Sequence, residues 1–370
     1  MKVLSVFGTR PEAIKMAPIV LELKKRQEIE SYVAVTGQHR EMLDQVLDIF
    51  GIEPDVDLDI FTPGQSLTDI AVRSLRGLES VFNDLHPDLL LVQGDTSTVF
   101  AAALSAFYHG VKIGHVEAGL RSHNLYSPYP EEANRKLTGV LANYHFAPTE
   151  SNRKNLLAEG YDDDKIFITG NTVIDALTYA ERGDFVFDDP AIDAIDFKNK
   201  RVILLTCHRR ENLGEPMRRI FSAVRRIADR HDDVEVIFPV HLNPKVRAIA
   251  EDVLGGADNI HRVEPMDYLP FSNVMARSSI VVTDSGGIQE EAPHFGIPVL
   301  VVREETERWE GVEAKTAKLV GTDEARIYDE METLLTDRAA YEEMAKATNP
   351  YGDGKAARRI VDIILNDHLG

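Results

Sequence analysis

Two hydrophobic signatures alternate along the chain. Short runs in which nearly every position is apolar, such as Leu89-Leu90-Leu91-Val92 and Ser279-Ile280-Val281-Val282, give way to longer stretches with apolar residues at helical spacing. Continuous apolar runs separated by amphipathic helices indicate parallel strands covered on both faces. In the first half the pattern predicts strands over Val3–Phe7, Ser31–Thr36, Leu89–Val92, Lys112–Val116, Tyr144–Ala147 and Lys165–Thr169. The helices between them fall over Pro11–Arg26, Arg40–Phe50, Ser66–Leu85, Thr96–Tyr108, Pro130–Ala142 and Glu150–Gly160. After an acidic, weakly periodic stretch, Asp184–Lys200, the alternation restarts. Strands are predicted over Val202–Thr206, Glu235–Phe238, Ile260–Val263, Ser279–Thr283, Val299–Val302 and Ala317–Leu319, with helices between them and a last helix over Gly354–Asp367. The fold class is therefore α/β, two Rossmann-like doubly wound domains, 1–170 and 171–352, with Asn171–Arg182 already a helix of the second. Ligands of such sheets bind beyond the carboxyl ends of the strands, so the site is expected in a cleft that the two domains face.

Length agrees with this division, since 370 residues exceed one ordinary core. A net charge of −20 argues against a nucleic-acid partner. No apolar run approaches the ~20 residues that span a bilayer, so no membrane role is expected. The chain opens directly on a strand without a signal-peptide layout. A single cysteine, Cys207, excludes an internal disulfide and a cysteine metal cluster. The histidines do not fall at metal-ligand spacing, so no metal is expected. A cytoplasmic enzyme is the natural class.

The chemistry should then lie just after strands. Following Ser279–Thr283, the turn Asp284-Ser285-Gly286-Gly287 opens a helix: small residues let backbone N–H groups approach a phosphate, and the helix end adds positive potential. Glu291, four residues past Gly287, lies on about the same face and could accept ribose hydroxyls. An ordinary strand–helix turn would also want small residues, so this stretch alone leaves both readings open. After the first strand, Gly8-Thr9-Arg10-Pro11 starts a helix flanked by two cations, Arg10 and Lys15, suited to a diphosphate or sugar. Asp95 follows Leu89–Val92 and could be no more than a helix cap. Glu117 follows Lys112–Val116 and is not explained by capping. Glu131 and Glu132 open a helix, where both could simply complement its dipole. Carboxylates gathered in one cleft suit general acid–base work. In the second half, His208 stands at a strand end as a hydrogen bonder or acid, and its neighbour Cys207 has no feature of an activated thiolate. His241 and Arg308 follow later strands.

Taken in order, Phe7-Gly8-Thr9-Arg10-Pro11-Glu12-Ala13, Thr36-Gly37-Gln38-His39, Val92-Gln93-Gly94-Asp95-Thr96, His115-Val116-Glu117-Ala118-Gly119-Leu120-Arg121, Pro130-Glu131-Glu132 with Asn134-Arg135, His208-Arg209-Arg210-Glu211-Asn212, Thr283–Glu291, Thr306-Glu307-Arg308 and Asn349-Pro350-Tyr351-Gly352-Asp353-Gly354 resemble the non-hydrolysing UDP-N-acetylglucosamine 2-epimerases over essentially the whole chain. The resemblance implies a GT-B fold whose last helix, within 353–370, packs back on the N-terminal domain. It implies a homodimer, no cofactor, and reversible conversion of UDP-N-acetylglucosamine to UDP-N-acetylmannosamine. Carried over by position, Asp95, Glu117, Glu131 and His208 are catalytic. Arg10, Lys15 and Arg135 contact substrate, the backbone near Met266 and Phe271 faces uracil, Ser285, Gly286 and Gly287 hold phosphate, Glu291 takes the ribose, and Arg308 lies on the nucleotide side. Gln38, His39 and His241 match a second substrate site found in some bacterial relatives. Glu41 and Gly64 differ from the polar and basic residues expected there, so substrate activation stays open. Trp309 and Lys315 stand where relatives commonly have proline and glycine.

The C2 proton of the sugar adjoins no carbonyl, and no nicotinamide fingerprint is present, which favours elimination over transient oxidation. Loss of UDP from C1 with removal of the C2 proton gives 2-acetamidoglucal. Reprotonation of the other face and re-addition of UDP complete the epimerisation. Three other functions share the donor clamp: a glycosyltransferase, a hydrolysing epimerase and a non-catalytic sugar-nucleotide sensor.

Overall fold

The computed structural model describes residues 1–37 and 40–369; Gln38 and His39 of the matched second site lie outside the described residues. The chain forms two compact units, Met1–Tyr179 with Gly352–Gly370, and Ala180–Tyr351.

The first unit is built on seven strands: β1 (Lys2–Phe7), β2 (Glu30–Val35), β3 (Val56–Asp57), β4 (Leu89–Gln93), β5 (Lys112–Val116), β6 (Tyr144–Ala147) and β7 (Ile166–Ile168). They lie in the order β3-β2-β1-β4-β5-β6-β7, with parallel neighbours. The chain runs outward from β1 through β2 to β3, then returns to the other side of β1 with β4. The reversal therefore falls between β1 and β4, where a doubly wound sheet opens its crevice. Both faces of the central strands are covered. On one face Leu4, Val6, Leu90 and Val92 pack on Leu78, Phe82, Val99, Ala102 and Ala106 of the helices Leu67–Leu85 and Ser97–Tyr108; on the other Val3, Phe7, Leu89 and Leu91 are fully buried. That double burial is why β4 reads as an unbroken apolar run.

The second unit repeats the plan with β8 (Arg201–Thr206), β9 (Val234–Pro239), β10 (Ile260–Val263), β11 (Ile280–Thr283), β12 (Val299–Val301) and β13 (Ala317–Leu319), in the order β10-β9-β8-β11-β12-β13, again parallel. Its reversal falls between β8 and β11. The helix Glu215–Arg230 buries Met217, Ile220, Phe221, Val224 and Ile227 against this sheet, a single apolar stripe on an otherwise charged helix.

Three differences from the sequence reading have physical causes. The two-residue edge strand β3 and the short helices Pro190–Asp193 and Trp309–Glu313 are too brief to show a period. The helix opened by the glycine turn is α-helical only over Gly286–Glu291, then tightens to a 3-10 turn over Ala292–Phe295, where Pro293 removes a donor. The helix Thr172–Ala180, expected with the second half, groups with the first. Its Asp175 carboxylate accepts from the N–H groups of Ala356 (3.1 Å) and Ala357 (2.8 Å), capping the helix Ala356–Leu369, and Tyr179 packs edge-on against Phe50. Burial pushes the Asp175 pKa up to about 6, against the pull of those two N–H groups.

Candidate functional site

In the first unit the candidate residues come off β1, β4, β5 and the helix Glu131–Leu141. At the end of β1, Thr9 caps the helix Arg10–Leu23 while Glu12 reaches back, accepting from the N–H groups of Gly8 (3.0 Å) and Thr9 (2.7 Å) and from Thr96 Oγ1 (2.6 Å). The β1 turn is thus tied to the loop that carries Asp95. Burial raises the Glu12 pKa, opposed by these hydrogen bonds. Gly8 is required here, since a Cβ would stand 2.0 Å from Thr36 Oγ1.

Lys15, on this helix, points its ammonium at both oxygens of Glu117, at 2.8 and 2.6 Å. The Gln93 amide donates to the same carboxylate. Glu117 follows β5 at φ 63°, a left-handed conformation that costs a non-glycine residue about 1–2 kcal/mol. Two residues on, Gly119 at φ 88° completes the turn, and a Cβ there would collide with the Asn152 carbonyl oxygen at 2.3 Å. The strained backbone aims Glu117 at Lys15. Asp95 pairs with Arg135 Nη2 at 2.6 Å, and its own carbonyl accepts from Asn134 Nδ2 at 2.9 Å. Burial raises the Asp95 pKa, Arg135 and Lys15 pull it down, and the charges of Glu117 and Glu131 push it up. Asp95, Glu117, Glu131, Lys15 and Arg135 therefore lie within electrostatic reach of one another.

The adjacent acids of the next helix divide their duties. Glu132, wholly buried, accepts from the N–H groups of Ser122 (3.0 Å) and His123 (3.3 Å) and from Arg135 Nη1 (3.1 Å). Its pKa is lowered despite burial by the Ser122 N–H and Arg135. Glu131 Oε2 is buried with no hydrogen-bond partner among the described residues. Glu132 is thus an anchor, and Glu131 keeps an oxygen in hand. His115 donates from Nε2 to the Gly94 carbonyl (2.7 Å), and burial holds its pKa down at about 4, so it is neutral.

In the second unit β8 and β11 end side by side, with Thr206 paired to Thr283 and their hydroxyls 2.6 Å apart. Ser285 precedes the helix Gly286–Glu291, whose first N–H groups have no partner within the helix. A Cβ on Gly287 would lie 3.3 Å from Glu291 Oε1, so that carboxylate folds back over the turn as the four-residue spacing predicts. A Cβ on Gly286 would meet Glu307 Oε1 at 3.0 Å and approach Arg209 Nη2 at 3.9 Å. Arg308 pairs with the buried Glu290, and its N–H donates to Thr306 Oγ1 (3.1 Å). Thr306 in turn donates to Gln289 of the glycine helix (2.8 Å). Met266 lies in the loop after β10. Phe271 lies in the helix Tyr268–Ala276, and its N–H is spent on the Asp267 carbonyl (3.1 Å). His208 and His241 stack, with ring centroids 5.4 Å apart. Cys207 is buried, and burial, then the nearby Asp284, push its thiol pKa well up, which removes it as a nucleophile.

The model of the UDP-N-acetylglucosamine 2-epimerase family matches residues 21–365. This chain belongs to that family. It is 55% identical over 365 residues to the UDP-N-acetylglucosamine 2-epimerase of Bacillus subtilis, covering 99% of this chain and 95% of the relative. It is 52% identical over 378 residues to that of Escherichia coli K12, covering all of both. The crystal structure of the Neisseria meningitidis enzyme bound to UDP-GlcNAc superposes with a TM-score of 0.83 at 49% identity, covering 99% of this chain and 100% of that one.

Within this epimerase family frame, the two departures near Arg308 are accommodated. Trp309 starts the helix Trp309–Glu313 half exposed, and Lys315 adopts φ 64°, the region a glycine would occupy freely, with its ammonium on Glu343 at 2.6 Å. Sequence reasoning gave no role to Glu12, Gln93, Arg209, Asp284, Glu290 or Glu307. An available signal was a polar residue ending or directly following a buried apolar strand, as Gln93 and Asp284 do.

Proposed function

We propose that this protein interconverts UDP-N-acetylglucosamine and UDP-N-acetylmannosamine by eliminating and re-adding UDP. The observation that carries the reading is the gathering of Asp95, Glu117 and Glu131 with Lys15 and Arg135 off the strand ends of the first unit. A carboxylate takes the C2 proton as the C1–O bond to UDP breaks. The C–H electron pair becomes the C1–C2 double bond of 2-acetamidoglucal, and the C1–O pair leaves with the diphosphate. A second carboxylic acid then delivers a proton to the other face of C2, and a diphosphate oxygen attacks C1.

Asp95, Glu117 and Glu131 share these proton transfers. Lys15 donates to both oxygens of Glu117, and burial raises the Asp95 pKa against the pull of Arg135 and Lys15. Arg10 and His208 stabilise the charge that develops on the departing diphosphate, where fixed donors act most strongly. Ser285, Gly286 and Gly287 hold phosphate, Glu291 accepts the ribose hydroxyls, Arg308 lies on the nucleotide side, and the backbone near Met266 and Phe271 faces the uracil. His241 matches the second substrate site of some relatives, a role that Glu41 and Gly64 leave open.

Incubation with UDP-N-acetylglucosamine alone tests the reading, with products resolved by mass and NMR. UDP-N-acetylmannosamine in an equilibrium mixture is expected. Free N-acetylmannosamine with UDP would make the enzyme a hydrolysing epimerase, and unchanged substrate would leave a glycosyltransferase or a sensor. A cytoplasmic homodimer completes the proposal. Phe107, Tyr108, Leu137 and Val140 stand 58%, 71%, 48% and 73% exposed on the neighbouring helices Ser97–Tyr108 and Glu131–Leu141. Such an apolar face suits a second copy, and light scattering should give twice the 41.3 kDa chain mass.

A further inference from the structure

Asp284 is more deeply engaged than a turn residue needs to be. It is wholly buried directly after β11, beside the end of β8. Its Oδ2 accepts from the N–H groups of His208 (2.9 Å) and Arg209 (2.8 Å) and from Asn212 Nδ2 (3.1 Å). Asn212 is itself tied to the Val302 carbonyl at 3.1 Å. These bonds account for the shape of the loop, and one oxygen provides all of them. The other, Oδ1, is buried with no hydrogen-bond partner among the described residues and lies 3.5 Å from Nδ1 of His208. A buried carboxylate oxygen left unmet is costly and seldom without a use. The His208 side chain is 42% exposed, and its Nδ1 edge faces the buried carboxylate. The ring face lies against His241, nearly parallel at 9°.

We infer that Asp284 is a positioning residue for the reaction, its Oδ1 accepting from Nδ1–H of His208 and so fixing the tautomer and aim of the imidazole. The inference rests on the proposed role of His208 at the departing diphosphate. With Nδ1–H committed to Asp284, the opposite nitrogen, Nε2, is the one presented to ligand. Protonation of Nε2 then creates a donor for the leaving oxygen, balanced by the carboxylate behind the ring. The other titratable and charged groups at this spot are Cys207 and Arg209 on the same loop and His241 on the loop after β9. Cys207 stays a neutral thiol that leans on the Asp284 carboxylate as a weak donor, Arg209 leans toward Glu307 at 3.6 Å, and His241 accepts from the Asn243 N–H at 3.1 Å. Asp284 is therefore the anion placed to pair with an imidazolium at His208.

The test compares Asp284→Asn, His208→Gln and the parent enzyme in the pH profile of kcat/KM for epimerisation, with UDP affinity measured alongside. The asparagine can keep the backbone acceptor but presents an amide N–H to Nδ1, which favours the opposite tautomer and opposes protonation. The expected result is a basic limb moved to lower pH by about one unit or more, kcat reduced at least tenfold above that limb, and UDP affinity within threefold of the parent. An equal fall of kcat/KM at every pH, with a lowered melting temperature, would make Asp284 a loop pin only and overturn the inference. If His208→Gln keeps parental kcat, the role of His208 itself fails; if it is impaired while Asp284→Asn shows an unshifted profile, the positioning claim alone fails. Should Asp284→Asn not fold, nitrogen NMR of the imidazoles in the intact parent decides the matter: Nδ1–H on His208 supports the inference, and a neutral Nε2–H form contradicts it.

Discussion

Arg135→Met probes the charge arrangement at its most connected point. Arg135 touches Asp95 at 2.6 Å and Glu132 at 3.1 Å, and among the influences on the Asp95 pKa it stands second only to burial. Unit charges about 4 Å apart in a surrounding of effective dielectric ~20 attract by about 4 kcal/mol, and a neighbouring cation lowers an acid's pKa by about 1–3 units. Loss of Arg135 should raise the Asp95 pKa by about that amount, equivalent to about 1.4–4 kcal/mol between its protonation states. The direction follows from the acid–base role. If ionised Asp95 is needed, activity fades as pH falls through its pKa, so a raised pKa moves the acid limb of kcat/KM to higher pH by about 1–3 units. Arg135→Lys keeps one charge but cannot fork between two carboxylates, and should move the limb less. Removing one partner of a buried ion pair costs about 3–5 kcal/mol of stability. Thermal unfolding should therefore be followed in parallel and kinetics taken only where the variant is folded. An acid limb that stays in place in a folded Arg135→Met enzyme would refute the claim that titration of Asp95 governs turnover.

Three further outcomes are expected. Glu291→Ala should weaken UDP binding about tenfold, the loss of roughly 1.4 kcal/mol in ribose hydrogen bonds, with kcat changed far less; calorimetric titration showing parental UDP affinity would remove Glu291 from the ribose. Gly119→Ala should destabilise the first unit by about 3 kcal/mol or more in urea unfolding, because the added Cβ meets a backbone oxygen at 2.3 Å in a left-handed conformation. His145 is buried with its pKa pushed down to about 4 by burial, against about 6.5 unfolded, so it stabilises the fold fully above pH 6.5 and loses that contribution as pH falls toward 4. A His145→Phe variant should accordingly lose about 3 kcal/mol less stability than the parent over that interval, read from melting curves at both pH values.

The sheets were legible because they are buried on both faces. Leu89-Leu90-Leu91-Val92 and Ile280-Val281-Val282 have no other sensible use in a chain with helices on either side. The strand ends then pointed to Asp95, Glu117, His208 and the glycine turn before any geometry was known. What stayed hidden was partnership. Lys15 and Glu117 are 102 residues apart, Asp284 and His208 76 apart, and only the strand order brings β1, β4 and β5 together, or β8 and β11. For the same reason Glu131 and Glu132 are equivalent as helix-opening acids, and only the family resemblance singled out Glu131. Their difference lies in whether Ser122, His123 and Arg135 happen to reach them. The placement of Thr172–Ala180 likewise depended on a cap from Asp175 to Ala356, 181 residues away.

The elimination account is tested most directly by proton NMR of UDP-N-acetylglucosamine turned over in heavy water. It predicts deuterium at C2 of the UDP-N-acetylmannosamine formed, with label appearing at C2 of the recovered substrate as the reaction reverses. An epimerised product that retains its C2 proton would contradict it.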